Sequence, residues 1–345
     1  MKAAGLAHAA RHGPVVVINC YQDRCDAIVI SCEANLTHIP LPNFTGEKAQ
    51  GAYSKLSRSI RSKRLRERGV KIRLESGQKD NFRSVLADLW NEVVKPILDV
   101  LGYTSGTLTG DLPHITWCPT GALSFLPLHA AGDYDQPRSK IFDYVISSYT
   151  PTLTALLATQ PISLSSDSRL LAIGMESTPG HNPLPGTIRE LECVKGHAQN
   201  MIEYSQLVNN QATKTSVLDG MEQQDLVHLA CHAHQNVRDP TKSGFFMHDG
   251  TLDLAAIDQR SFKNKGPLAS GMLIAGYSSV IATIWSVMDN DAPFVADKVY
   301  GQLMKVRKLG NGEAGRALHY AVAALREEVG EMEFGRWVPY IHIGS

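Results

Sequence analysis

Val227-His-Leu-Ala-Cys-His-Ala-His234 and, further on, Val280-Ile-Ala-Thr-Ile-Trp-Ser-Val-Met-Asp289 decide how this chain reads. Each opens on a short apolar run, too short for a typical helix and suited to a buried strand. The first run ends in histidines, the second in a tryptophan and an acid. Side chains alternate along a strand. His228, His232 and His234 therefore share one face until the strand ends, and Cys231 turns into the core. In open parallel sheets, sites collect beyond the carboxyl ends of strands. That places His232 and His234 at a site and leaves His228 deeper, as a buried, hydrogen-bonded histidine. A histidine at such a lip is a suitable general base for a thiol. Yet no cysteine follows Cys231 in the chain.

Working outward, strands and helices alternate. Tyr144–Tyr149 reads as a strand, Leu153–Ala158 as a short helix and Arg169–Met175 as a buried strand. Thr187-Ile-Arg-Glu190 is a capping box opening a helix to about residue 200. Gln206–Asn209 is a strand, Lys214–Met221 a helix and Leu226–Cys231 a strand. Phe245–Leu254, with His248-Asp249-Gly250 at its centre, reads as a hairpin. Leu268–Ala275 is a helix, Val280–Val287 a strand, and Ala292–Met304 and Glu313–Glu328 are helices. This order predicts an α/β fold: a mostly parallel sheet with helices on both faces. Upstream, Pro14–Asn19 and Ala27–Ser31 form a hairpin, and 33–83 is polar and irregular. Leu86, Leu89, Trp90, Val93, Val94, Ile97, Leu98 and Leu101 mark an amphipathic helix that Pro96 kinks or interrupts. The expected organisation is an N-terminal subdomain over 1–130 packed on a core over 131–345.

Composition excludes several classes. The 345 residues carry 34 basic and 34 acidic side chains, so no net field recruits nucleic acid or an anionic membrane. Ser57–Arg73 holds eight basic residues against Glu67 alone, but no aromatics interleave, and it reads as a solvated helix or loop. The six cysteines form no CxxC pair and no compact disulfide framework, which suits a cytoplasmic protein. Arg11 and His12 precede only a strand-sized apolar run, not a signal sequence. The uncharged run 266–288 is long enough to span a bilayer. Its Gly266, Pro267, Gly271 and Gly276, and its β-branched second half, instead predict a buried helix, a turn and a strand, with no membrane insertion.

The motif Val227-His-Leu-Ala-Cys-His-Ala233 resembles the histidine motif of the CHAT domain family, caspase-like relatives of separase. So do Leu184-Pro-Gly-Thr-Ile-Arg-Glu190, Ser148-Tyr-Thr-Pro-Thr-Leu153, Trp117-Cys-Pro-Thr-Gly121 with Pro127-Leu-His-Ala130, Gly276-Tyr-Ser-Ser-Val-Ile-Ala-Thr-Ile-Trp285 and Trp337-Val-Pro-Tyr-Ile-His342. The similarity is to the fungal type and runs from about residue 13 onward. It implies a caspase-like fold of the cysteine peptidase group. His232 is then the catalytic base, followed by Ala233 where glycine is usual, and Asp289 is the group that binds a basic side chain of a polypeptide substrate. The family nucleophile ends the next strand. Here that place holds only Asp258-Gln-Arg-Ser-Phe-Lys-Asn-Lys-Gly-Pro267, so a strand and loop on the order of twenty residues are missing. The resemblance therefore implies a catalytically inactive module. It leaves open an active cysteine endopeptidase with a truncated gene model, or a signalling adaptor in a defence or cell-death pathway. Expected partners are a polypeptide substrate or protein. A zinc site of His232, His234 and Asp239 would need Asp-His after His234, where Gln235-Asn236 stands; no metal and no cofactor is expected.

Overall fold

Val15–Cys20 shows how the sheet is made. Val16 and Ile18 enter the largest apolar cluster, while Val15 packs on the other face with Ala9, Ala10 and Leu156. That two-residue period, apolar on both faces, is what a strand covered on both sides requires. The computed structural model describes residues 3–62, 81–105, 111–158, 162–236, 239–260, 279–309 and 312–344. The predicted helix 268–275, most of the basic stretch beyond Ser62 and much of the uncharged run 266–288 lie outside them.

In chain order, α1 (Ala3–Ala9) precedes β1 (Val15–Cys20), β2 (Cys25–Ile30) and β3 (Leu36–Leu41). Helices α2 (Gly46–Ser62), α3 (Asn81–Leu89) and α4 (Lys95–Val100) lead to β4 (His114–Pro119) and β5 (Ile146–Tyr149). Then come α5 (Leu153–Ala158), β6 (Ile162–Ser163), β7 (Arg169–Gly174), α6 (Gly186–Ala198), β8 (Glu203–Val208), α7 (Lys214–Gln223) and β9 (Leu226–Ala230). After β10 (Ala233–His234), β11 (Gly244–Met247), β12 (Gly250–Asp253) and α8 (Leu254–Asp258) stand β13 (Ser279–Thr283) and α9 (Asp291–Val306). The described chain closes with β14 (Lys308–Leu309), α10 (Glu313–Val329), α11 (Phe334–Trp337) and β15 (Tyr340–Gly344).

Seven strands form one sheet in the order β13-β15-β5-β4-β1-β2-β3. Its centre is parallel, β15 with β5, β5 with β4 and β4 with β1, and its flanks are antiparallel. A second sheet, β8-β7-β9, is parallel throughout. The architecture is thus mixed α/β with parallel centres and helices on both faces. The seven-stranded sheet crosses the expected boundary at residue 130, because β4 pairs with β5.

One helical layer serves both sheets. Helix α6 packs on β7 and β9, α10 packs on β15, β5 and β13, and α9 packs against both helices. Val295, Val299 and Leu303 of α9 belong to the core of the larger sheet, whereas Ala296, Tyr300 and Met304 belong to the core under α6. Two stripes roughly 100° apart on one helix thus enter two cores. Beneath this layer the sheet is interrupted: among the described residues β9 pairs only with β7, and β13 only with β15. Both are half-exposed along most of their length, while all of β7 after Arg169 is buried. Neither edge carries the lysine, proline or short length that ordinarily blunts one.

Several details depart from the sequence reading. The stretch 33–83 contains β3 and α2, whose short apolar signals lie among polar residues. The amphipathic helix is interrupted by a π-turn, Trp90–Val94, just before Pro96. A wider turn there accommodates the missing N–H and the ring that would strike the carbonyl four residues back. Strand β13 stops at Thr283 instead of Val287, and the Trp285 indole turns inward to donate to Gly335 O at 3.2 Å.

A chain of polar side chains crosses four adjacent strands under α10. His114 (β4) meets Ser148 Oγ at 2.6 Å, Ser148 Oγ meets His342 Nδ1 (β15) at 2.6 Å, and His342 Nε2 meets Ser279 Oγ (β13) at 2.8 Å. A Cβ on Gly315 would lie 2.8 Å from Ser148 Oγ and 3.0 Å from His342 Nδ1, so glycine is required where α10 crosses. Ser148 has one proton, so at least one of the two histidines must donate to it. Burial holds His114 and His129 down to about 4 and His342 to about 3. These imidazoles stay neutral in the fold but charge at about 6.5 once unfolded. The unfolded chain binds more protons below that value, so stability is full above pH 6.5 and declines as pH falls toward 4. The melting temperature is expected to drop measurably between pH 6.5 and 5, above the range where most carboxylates titrate; a flat profile across that window would refute this account.

Candidate functional site

Strand β9 presents its side chains alternately, as expected. Leu226 and Ala230 face α6 and α9, and Val227, Leu229 and Cys231 face the core shared with α7 and α8. His228 lies on the α6/α9 side, with Nε2 3.1 Å from Glu190 Oε1 and its ring against Tyr300 at 5.5 Å. It is a core histidine with a buried carboxylate partner. Cys231 is buried and turned away from the strand end.

His232 lies two residues past the end of β9. Its carbonyl accepts from Phe246 N at 2.9 Å, which fastens it to the hairpin β11–β12. Its Nε2 lies 2.8 Å from Asn182 O, and its ring stacks on His181 at 4.9 Å. His181 in turn packs on Phe246 at 4.1 Å, and the His234 ring lies 5.1 Å from the same Phe246 ring. The loop between β7 and α6 therefore folds over this imidazole, leaving His232 only 9% exposed. Sequence reasoning assigned that loop no role; His181 and Asn182 stand between glycine and proline with no spacing that marks them.

The same loop reaches the acid. Asp289 Oδ2 accepts from Gly186 N at 2.6 Å, so Asp289 caps the first amide of α6. A Cβ on Gly186 would lie 2.2 Å from Asp289 O and 2.7 Å from Oδ2, so only glycine fits. A carboxylate on an orphan N–H at a helix start is favoured by hydrogen bonding and by the helix dipole. His232 and Asp289 thus contact opposite ends of one loop, residues 182 and 186. Next to this rim, Asp291 takes Arg336 in a two-pronged pair at 2.8 and 2.5 Å, pinning α9 to α11.

The remaining candidates do not gather. Asp239 receives Thr241 N and Oγ1 at 3.2 and 2.5 Å, and among the described residues no group of three His, Cys, Asp or Glu side chains is arranged to hold a metal. Ser279, which the sequence did not single out, is hydrogen-bonded to His342 but begins β13, whereas the rim with Asp289 follows that strand's carboxyl end. Among the described residues no helix is long and apolar enough to cross a membrane.

Gly186→Ala should test the loop's closeness to Asp289. Overpacking there is expected to destabilise the fold by roughly 1–3 kcal/mol. Gly196→Ala, later in α6 with no atom within 4 Å of the added Cβ, should be neutral or stabilising, read by denaturant melts. Equal effects at both positions would contradict the assigned geometry.

With this geometry in hand, comparison with known proteins is informative. The CHAT domain family profile matches residues 83–345. No curated protein matches the sequence. Among solved structures, two of the Saccharomyces cerevisiae separase–securin complex are similar, each with TM-score 0.57 and 10% identity over 99% of this chain. This chain spans 30% and 31% of the matched chains. The complex of Porphyromonas gingivalis RgpB pro- and mature domains gives TM-score 0.48 at 9% identity, over 87% of this chain and 77% of the other. The separase likeness shows a shared caspase-like fold, and the profile match, over most of the length, settles the membership: this chain belongs to the CHAT domain family.

Proposed function

We propose that this chain is a fungal-type, cytoplasmic CHAT module that keeps the base and rim of a caspase-like peptidase without its nucleophile, and that it binds polypeptide without cleaving it. The observation that carries this reading is the absence of any cysteine after Cys231, the stretch in which the family's nucleophile is expected. The interrupted sheet supports it. Strand β9 is largely apolar on both faces, as a strand of a covered parallel sheet is, and among the described residues it has a ladder on one edge alone. Strand β13 likewise has one neighbour among the described residues, and it lies under α10, which packs on α9. One nucleophile-bearing strand between β9 and β13 would give each edge its ladder.

In this reading His232 occupies the base position and Asp289 is the group that meets a basic side chain of the bound polypeptide. A protein ligand is in keeping with separase, which is found in complex with securin. No metal or cofactor enters the reading. The sheet interruption also favours a second reading, an active cysteine endopeptidase in a longer form of the chain. The transcript sequence across Ile257–Leu268 separates the two, because only the second requires an additional Cys-bearing exon.

Two outcomes follow. A thiol-directed peptidyl probe should label nothing in a His232-dependent manner; labelling that vanishes in His232→Ala would overturn the inactive reading. Inserting a family-like apolar strand between Phe262 and Pro267 should raise the melting temperature, since ladder groups left unpaired when buried cost about 1–3 kcal/mol each. An unchanged or lowered value would argue against a vacant strand position between β9 and β13.

A further inference from the structure

Cys20 ends β1, Cys25 begins β2, and the two are paired across the hairpin. Tyr21 N donates to Arg24 O at 3.0 Å, which makes 21/24 the hydrogen-bonded pair and 20/25 the non-hydrogen-bonded pair beside it. The Cys20 amide accordingly leaves the ladder and donates to Thr120 Oγ1 at 2.9 Å. Non-hydrogen-bonded pairs bring Cα atoms to about 4.5 Å, inside the roughly 4.4–6.8 Å that a disulfide spans. The two sulfurs are 2.9 Å apart, and both cysteines are free thiols. Cys25 is buried and Cys20 half-buried, so a small reagent meets Cys20 first.

We propose that Cys20 and Cys25 form a reversible cross-strand dithiol/disulfide couple, a redox modification site on the hairpin that supports the start of α2. The oxidant is a low-molecular-weight disulfide of the glutathione type. The Cys20 thiolate attacks one of its sulfurs and expels one thiolate, leaving a mixed disulfide on Cys20. Cys25 then loses its proton and attacks the Cys20 sulfur, and the second small thiolate leaves. Two protein thiols are oxidised, one small disulfide is reduced to two thiols, and the two protons end on those thiols. Burial raises both protein thiols, Cys25 to about 12 with help from its hydrogen bond to Cys20, so the exchange is slow and is read at equilibrium.

The consequence is local and structural. Tyr21 O accepts from Gly46 N at 2.8 Å, and Gln22 O accepts from Glu47 N at 3.4 Å. The turn bracketed by the cysteines therefore satisfies the first amides of α2, which otherwise lack intrahelical partners. Linking Cys20 to Cys25 fixes that turn and with it the entry to α2. The inference stands apart from the reading of the His232 site.

The test equilibrates the purified full chain in buffers of graded oxidised-to-reduced glutathione, followed by alkylation, peptide mapping and thermal melts. A species lighter by two hydrogens should accumulate with the ratio, carry a Cys20–Cys25 linkage, melt higher and revert with dithiothreitol. Cys32→Ser should leave this behaviour intact, and Cys20→Ser should abolish it while melting at a temperature independent of the ratio. Cys20 held as a glutathione adduct with Cys25 still alkylatable, or Cys20 linked to Cys32 or to a second chain, would overturn the proposal; mapping of the unmutated chain decides this even if a variant fails to fold.

Discussion

Helix α9 is the element on which the two sheets depend. Its two apolar stripes enter different cores, and no hydrogen-bonded ladder among the described residues joins β9 to β13 beneath it. Among the described residues, side-chain packing and not a backbone ladder therefore links the small parallel sheet to the large one. Apolar contact is non-directional and tolerates shifts that a strand ladder does not. The fixed points that give the junction a direction are polar: Asp291 with Arg336 at the start of α9, and Asp289 on the first amide of α6. Both acids lie in the short stretch between β13 and the body of α9. The rim of the candidate site is thus also the clasp between the two halves.

That coincidence explains why the site is closed. For the loop 178–186 to bring Gly186 onto Asp289, its earlier residues must cross the end of β9, and His181 comes to rest on His232. The His232 ring is held by a backbone carbonyl and covered by a second imidazole. Such an arrangement orients the His232 ring. It also means that a ligand reaching Nε2 must displace Asn182 O, and so move the loop that caps α6. Binding at this rim and the packing of α6 are coupled through one short segment.

Legibility in the sequence followed the strength of local signals. The strands around the site were plain because short apolar runs and turn residues agree: Phe245–Leu254 forms the hairpin β11–β12 with Gly250 at positive φ. The direction of Cys231 followed from alternation alone, and His228 proved a core residue, paired with Glu190. Other features depend on tertiary partners and leave no local mark. The role of Gly186 exists only because Asp289 arrives from a hundred residues away, and the pairing of Cys20 with Cys25 appears only once the hairpin register is fixed. The relay His114–Ser148–His342–Ser279 draws one residue from each of four strands, so no window of sequence contains it.

The relay bears on what the interruption of the sheet costs. Its last member, Ser279, begins the edge strand β13, and its side chain is held by His342 from the neighbouring strand. Buried histidines that must stay neutral tolerate few alternative registers, since a shift of one residue would turn Ser279 to the other face and leave His342 Nε2 without its partner. The polar chain therefore pins β13 to β15 by side chains, where among the described residues the other flank of β13 has no ladder. On the β9 side, the Phe246–His232 backbone bond and the stacked His181 fasten the strand end in a comparable way. Each exposed edge is thus anchored by polar contacts near one end, at the start of β13 and just past the end of β9, while the stretch between relies on the helices above it.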